Sequence, residues 1–170
     1  SILTDSHFGM NAAELERLSA KTNLPILRKD FTLSKEQIDE ALILGADAIL
    51  LIATFLSAAE LKSLGDHADS LGLDVLYEAH AKEDLAKIPS TAKVIGINNR
   101  NLAAGDYRTD LSLSIEMLEM IPDGILRVAE SGYEKTADVP AGYDAVLIGS
   151  GLIRKFLRGG SAAVTAAIRS

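Results

Sequence analysis

The chain has 170 residues, of which 48% are hydrophobic and 24% charged, and its formal net charge is −7. This composition excludes a disordered or collagen-like protein, and the length is enough to bury a substantial core. The negative charge argues against general binding to nucleic acid or to acidic membranes. Cysteine is absent, which excludes disulfides and thiolate catalysis. No apolar run reaches the ~18 residues that a membrane helix needs.

Short apolar strands alternate with amphipathic helical stretches along almost the whole chain. The predicted strands are SILT, PILR, DAILLI, LDVLYE, KVIGIN, ILRVAE and DAVLIG, and helical patterns such as NAAELERLSAKT, SKEQIDEALILG and SAAELKSLGDHADSLG lie between them. Capping boxes predict helix starts at Ser34 and Ser57, and Gly45 and Gly72 are predicted to end these helices. No linker rich in Pro and Gly divides the sequence, so residues 1–170 are predicted to form a single domain.

Two short stretches repeat each other in part. GADAIL at 45–50 and GYDAVL at 142–147 share Gly, Asp, Ala and Leu at the same offsets, which favours repeated βα units, although any α/β protein can produce such a coincidence. Seven βα units predict an α/β fold, either a doubly wound sheet or a (β/α)8 barrel. Because barrels typically have eight units and ~250 residues, the pattern alone does not choose between the two.

Polar residues follow five of the strands at their carboxyl ends. They are Arg28, Lys29 and Asp30 after PIL; Glu78 and His80 after LDVLY; Asn98, Asn99, Arg100 and Asn101 after VIGI; Glu130, Ser131 and Gly132 after LRVA; and Gly149, Ser150 and Gly151 after VLI. Isolated polar residues at strand ends are usually turn formers. Because the carboxyl ends of parallel strands share one rim, five such groups predict a functional site there.

Lys29 and Glu78 are the candidates for acid–base chemistry. A partly dry pocket lowers the pKa of a lysine and raises that of a carboxylate, so both can be tuned toward neutrality. Glu130 could be a second carboxylate for orientation or proton relay. The alternative for Lys29 is a structural ion pair with Asp30 or Glu78. Arg28 is expected to point away and to pair structurally, since adjacent strand residues face opposite sides.

The ESG and GSG stretches are candidates for phosphate binding. Their small residues let backbone N–H groups approach an anion, and barrels commonly bind phosphate in their last two βα loops. The alternative is that both are tight turns. His7, His67 and His80 show no ligand spacing, so no metal site is expected.

The motifs LRKDF, GADAILLI, LYEAH, IGINNRNL, AESG and VLIGSGL, in this order and spacing, resemble indole-3-glycerol-phosphate synthase. RKDF and INNRNL carry most of the specificity, since ESG and GSGL recur across phosphate-binding barrels. The resemblance implies a TIM (β/α)8-type barrel and a cytoplasmic carboxy-lyase of tryptophan biosynthesis. The implied reaction closes the ring of 1-(2-carboxyphenylamino)-1-deoxyribulose 5-phosphate, with decarboxylation and dehydration and without metal or organic cofactor.

The resemblance also implies roles for the polar residues that match the family. Lys29 would be the general acid, and Glu78 the general base or proton relay of the dehydration. Glu130 would lie near the ribulose hydroxyls. Asn98 and Arg100 would bind the hydroxyl and carboxylate region of the substrate.

Two further sets of matching residues would hold the ends of the substrate, a small phosphate anion. The implied phosphate-binding residues are Ser131, Gly132, Gly149 and Ser150, and the implied walls of the anthranilate pocket are Phe8, Phe31, Leu50, Leu102 and Leu147. No binding of nucleic acid or membrane is implied.

The sequence departs from the family at its start. The family's first strand, with a Glu-x-Lys motif and a following Ser-Pro-Ser loop, has no counterpart, because SILTD resembles strand two. The resemblance therefore implies an incomplete barrel of seven βα units that lacks strand one, with unpaired strand edges near Leu3 and Val146. Such a chain is expected to self-associate or to bind a complementing N-terminal segment.

Two other functions stay open. The chain could be a catalytically silent fragment or assembly module that acts only with a partner supplying strand one. It could also be a related phosphate-sugar barrel isomerase, although RKDF followed by INNRNL argues against this.

Overall fold

A computed structural model of the protein describes residues 1–6, 9–100 and 108–170. In these ranges, strands and helices alternate in the predicted α/β order, except that only a 3-10 helix, Thr136–Asp138, lies between the last two strands, and each of the seven predicted strand stretches overlaps a strand. The elements are β1 (Ile2–Leu3), α1 (Ala12–Ser19), β2 (Leu27–Lys29), α2 (Lys35–Ile43), β3 (Ala48–Ile52), α3 (Ala58–Ser70), β4 (Asp74–Ala79), α4 (Lys82–Leu85), β5 (Val94–Asn98), α5 (Ser112–Leu118), β6 (Leu126–Glu130), β7 (Ala145–Leu147) and α6 (Ser150–Arg169). Within the described part of the chain, no helix is long and apolar enough to cross a membrane.

Contacts between Cα atoms divide the chain into two compact units. The first unit comprises Ser1–Glu78 and Glu83–Lys93, and the second comprises Ala79–Lys82 and Val94–Ser170. In the first unit, β1, β2, β3 and β4 pair in chain order, and every pair is parallel. In the second unit, β5, β6 and β7 also pair in chain order and in parallel.

The first unit is built around β3, whose side chains are buried on both faces. Ile49, Leu50 and Leu51 are each at most 2% exposed, as expected for a continuous apolar run in a parallel sheet covered on both sides. The helices that flank β3 begin as predicted, because Ser34 and Ser57 each form a capping box at the start of α2 and α3.

The partial repeat has a structural basis in each unit. Asp47 Oδ2 accepts the backbone N–H of Ile26 at 2.7 Å, and the N–H of Asp47 donates to the Ile26 carbonyl at 2.9 Å. Asp144 forms the same two bonds with Arg127, at 2.8 and 2.9 Å. In both copies the shared Asp therefore joins the start of its strand to the start of the preceding one, which explains why both stretches carry Asp at this position.

Candidate active site

Lys29 and Glu78 form an ion pair in the first unit. Lys29 Nζ lies 2.7 Å from Glu78 Oε2, with the two side chains 21% and 1% exposed. Lys29 ends β2 and Glu78 lies near the end of β4, so the lysine side chain reaches past β3 to meet the carboxylate. The fold thus brings both candidate acid–base groups together. Of the two possible ion-pair partners of Lys29, Asp30 and Glu78, the structure pairs it with Glu78.

Strand alternation separates Lys29 from its charged neighbours. Arg28 faces the other side of β2, and its Nη2 lies 3.0 Å from Asp30 Oδ2 and 2.7 Å from Glu40 Oε2. Its Nη1 donates to the Gln37 carbonyl at 3.1 Å. Thr4 Oγ1 donates to the same Asp30 oxygen at 2.5 Å. The prediction that Arg28 points away and pairs structurally is confirmed.

Two of the predicted pocket-wall residues lie in the first unit. Leu50 on β3 is 2% exposed and faces the same side of the sheet as Lys29, since Ile49 pairs with Arg28 and the next positions therefore align. Phe31 packs edge-on against Phe55 with ring centroids 5.6 Å apart. Leu50 therefore shares a face of the sheet with Lys29, and Phe31 contacts a second aromatic ring.

Three predicted residues lie side by side at the ends of the strands of the second unit. Asn98 pairs with Glu130, and Glu130 pairs with Leu147, in the register of β5, β6 and β7. Asn98 is 5% exposed and Glu130 is fully buried, whereas Leu147 is half-buried. The parallel pairing therefore places an amide, a carboxylate and an apolar side chain next to one another on adjacent strand ends.

Arg100 follows β5 and is fixed through its backbone. Its N–H donates to Asn98 Oδ1 at 3.0 Å, which closes a turn and orients the Asn98 amide. Its carbonyl lies 2.8 Å from His80 Nδ1. Because a carbonyl can only accept, Nδ1 carries the proton in this contact. The Nε atom of Arg100 is buried and has no hydrogen-bond partner among the described residues.

The four candidate phosphate-binding residues lie at two turns of the second unit. Ser131 and Gly132 follow β6 and are both left-handed, with φ of 65° and 88°. A side chain at Gly132 would meet Thr109 Cγ2 at 2.5 Å and Leu111 Cδ2 at 2.7 Å, so glycine is required there. Gly149 and Ser150 are exposed at the start of α6, where free backbone N–H groups favour anions.

Two predicted pocket-wall residues, Phe8 and Leu102, lie outside the described residues. Asn99, by contrast, has an extensive structural role that the sequence did not indicate. It is fully buried, and it bonds to residues 15, 32 and 34 positions away. The only available signal was its position next to Asn98, which places its side chain on the opposite face of the strand end.

Comparison with known proteins agrees with the resemblance seen in the motifs. The family model described as indole-3-glycerol phosphate synthase matches residues 1–158. The indole-3-glycerol phosphate synthase of Chlorobium phaeovibrioides is 45% identical over 158 residues, covering 89% of this chain and 60% of the relative. That of Sulfurimonas denitrificans is 44% identical over 161 residues, covering 91% of this chain and 60% of the relative. The chain thus spans about 60% of the length of these curated relatives.

Solved structures provide an independent comparison of the fold. A 3-keto-L-gulonate-6-phosphate decarboxylase from Vibrio cholerae matches with a TM-score of 0.71 at 15% identity, covering 99% of this chain and 84% of that one. A chain of the tryptophan synthase complex from Pyrococcus furiosus matches with a TM-score of 0.63 at 16% identity, covering 92% and 68%.

At such low identities these two likenesses show the fold alone, which is an α/β fold of the TIM-barrel type. The family assignment comes from the sequence comparison, which covers nearly the whole chain. The chain belongs to the indole-3-glycerol phosphate synthase family.

Proposed function

We propose that this chain carries out the indole-3-glycerol phosphate synthase reaction on 1-(2-carboxyphenylamino)-1-deoxyribulose 5-phosphate. A carbon–carbon bond forms between the ring carbon that bears the carboxylate and the ribulose carbonyl carbon. Loss of CO2 restores the aromatic ring, and loss of water then completes the indole. The reaction needs a proton donor for the carbonyl oxygen and for the departing hydroxyl, and a base that removes a proton during dehydration.

The observation that carries the proposal is the Lys29–Glu78 pair. An ammonium and a carboxylate 2.7 Å apart, one of them almost fully buried, are within proton-transfer distance of each other. Lys29 is the proposed general acid that protonates the carbonyl oxygen as the ring closes. Glu78 is the proposed base, or the relay that returns a proton to the lysine, during dehydration.

Roles in substrate binding are also proposed for residues of the second unit, each on its own. Arg100 is proposed to bind the carboxylate, because a guanidinium can bind a carboxylate through two hydrogen bonds. Its backbone is held in place at both the N–H and the carbonyl. Asn98 and Glu130 are proposed to bind ribulose hydroxyls from adjacent strand ends. The phosphate is assigned to the turns at Ser131–Gly132 and Gly149–Ser150, and the apolar contacts to Phe8, Phe31, Leu50, Leu102 and Leu147.

Ser150→Ala tests the phosphate assignment within a turnover assay. Loss of a charge-assisted hydrogen bond costs about 1–3 kcal/mol, so KM is expected to rise roughly 5- to 150-fold. Because the phosphate is remote from the reacting carbons, kcat is expected to change little. The chain has no Trp, so the fluorescence of the indole product can be followed without background from protein tryptophan.

Ser161→Ala is the matched control, since Ser161 is also an exposed serine of α6 but lies one residue beyond the non-helical Gly159–Gly160. Its KM should equal that of the unsubstituted protein. The same KM for Ser150→Ala and Ser161→Ala would contradict the assignment of Ser150 to the phosphate. Absence of any indole product from the unsubstituted protein would contradict the proposed reaction.

A further inference from the structure

A buried polar cluster lies behind the Ser131–Gly132 turn, which we name the Asn99 network and define as Asn99, Ser114 and Tyr133. Asn99 and Ser114 are fully buried, and Tyr133 is 4% exposed. None of the three belongs to the acid–base or substrate-binding groups assigned above. Polar side chains buried to this extent are retained only when their hydrogen bonds are satisfied, so their partners indicate what the network does.

The orientation of the Asn99 side chain is fixed by its partners. Its Oδ1 accepts the backbone N–H of Ser114 at 3.1 Å. Its Nδ2 donates to the Ser131 carbonyl at 3.1 Å and to Tyr133 Oη at 3.2 Å. Because a backbone N–H can only donate and a carbonyl can only accept, the reversed amide would lose both contacts.

The hydroxyl groups of the network form a directed chain of hydrogen bonds. Ser114 Oγ donates its only proton to the Leu111 carbonyl at 3.1 Å. Ser114 Oγ and Tyr133 Oη lie 2.6 Å apart, and donation by the tyrosine is the arrangement that keeps the serine bond to Leu111 as well. Tyr133 in turn accepts from Asn99. The chain thus runs from Asn99 through Tyr133 and Ser114 to the start of α5, and it holds Asn99 in place.

The network acts on an unfavourable backbone conformation. Ser131 has a φ of 65°, a left-handed conformation that a residue with a Cβ rarely adopts. The Asn99 amide holds the Ser131 carbonyl, which belongs to the peptide that joins Ser131 to Gly132. In a trans peptide the carbonyl and the N–H point in opposite directions, so the Gly132 N–H points away from Asn99. Gly132 itself is exposed.

We propose that Asn99, Tyr133 and Ser114 are positioning residues that hold Ser131 in its left-handed conformation and thereby aim the Gly132 amide at the phosphate of the substrate. The inference rests on the phosphate-binding role proposed above for the Ser131–Gly132 turn. Such fixed backbone donors bind anions without a net positive charge, which suits a chain whose formal charge is −7.

The test uses two NMR readouts on the whole chain. The first is the pair of Ser131 Cα and Cβ chemical shifts without ligand, which report whether φ is positive. The second is the Kd for inorganic phosphate, obtained from the shift of the Gly132 amide during titration. The variants are Asn99→Ala, which removes the bond to Ser131, and Tyr133→Phe, which removes one hydroxyl and is the milder change.

Tyr143→Phe is the matched control. Tyr143 Oη donates to the Ser114 carbonyl at 2.6 Å, so the variant also loses one tyrosine hydroxyl that bonds to Ser114, but Tyr143 is half-buried and does not bond to Asn99. We expect the Kd for phosphate to rise about tenfold in Asn99→Ala and about threefold in Tyr133→Phe, and by less than about twofold in the control. The Ser131 shifts should lose their left-handed signature in Asn99→Ala.

Different outcomes overturn different parts of the account. If Ser131 keeps its left-handed shifts in Asn99→Ala, or if Tyr143→Phe weakens phosphate binding as much as Tyr133→Phe, the network has no positioning role. If phosphate leaves the Gly132 amide of the unsubstituted chain unmoved, the phosphate role of this turn fails, and the Ser131 shifts alone then decide whether Asn99 holds the backbone. If Asn99→Ala does not fold, the comparison of the phosphate Kd in Tyr133→Phe with that in Tyr143→Phe decides whether the network has a positioning role.

Discussion

Lys29→Ala and Glu78→Gln are each expected to lower kcat for the anthranilate-derived ribulose phosphate by roughly 10²–10⁴-fold, the usual contribution of a positioned acid or base. The two side chains meet at 2.7 Å, and as a relay Glu78 would return a proton to Lys29, so each depends on the other. Groups that act as a unit are strongly non-additive. The double variant is therefore expected to be little slower than the slower of the two single variants.

The control for this prediction is Lys62→Ala, which removes a lysine from an exposed ion pair with Asp66 whose side chains are 62% and 58% exposed. Its kcat should be unchanged. Circular dichroism of each variant checks that lost activity is not lost folding. Full activity in both Lys29→Ala and Glu78→Gln would show that their ion pair is structural, which is the alternative that the sequence left open.

Arg28→Ala is expected to lower the free energy of unfolding by about 3–5 kcal/mol, which is the cost of removing one partner from a buried ion pair. The side chains of Arg28 and Asp30 are only 5% and 11% exposed, so the Asp30 carboxylate would stay buried without its cation. The guanidinium also holds Gln37 of α2 and Thr4 beyond β1. One substitution would therefore remove the side-chain bonds that join β2 to α2 and to Thr4.

The matching surface variant is Arg17→Ala. Arg17 pairs with Glu14 at 2.7 Å, but these side chains are 53% and 35% exposed, so its loss should cost only about 0–1 kcal/mol. Urea denaturation followed by circular dichroism gives both values. A loss below about 1 kcal/mol for Arg28→Ala would contradict a structural role for the Arg28 network.

The alternation of side chains along β2 is the part of the candidate site that the sequence predicted best. RKD reads as three adjacent charges, yet only Lys29 faces the Glu78 side of the strand, while Arg28 and Asp30 bond to each other behind it. Strand period decides this without any knowledge of distant residues. The capping boxes at Ser34 and Ser57 could be predicted equally well, because the two residues of each box lie three positions apart in the sequence.

The Asn99 network could not be predicted in the same way. Its members come from the end of β5, from α5 and from the segment after β6, so only the folded chain brings them together. The position of Asn99 after Asn98 indicates only that its side chain lies on the opposite face of the strand end, and not which residues it bonds to. Tyr133 is indistinguishable in the sequence from an ordinary turn residue. The left-handed Ser131 was hidden too, since a serine before a glycine gives no indication that it will adopt a positive φ.

The most direct measurement is product analysis after incubating the protein with 1-(2-carboxyphenylamino)-1-deoxyribulose 5-phosphate, with CO2 and indole quantified in the same sample. We expect one CO2 to be released for each indole formed. Binding of the substrate without either product would contradict the proposed reaction and favour an assembly module. Conversion to an isomeric sugar phosphate without release of CO2 would also contradict it, and would favour an isomerase.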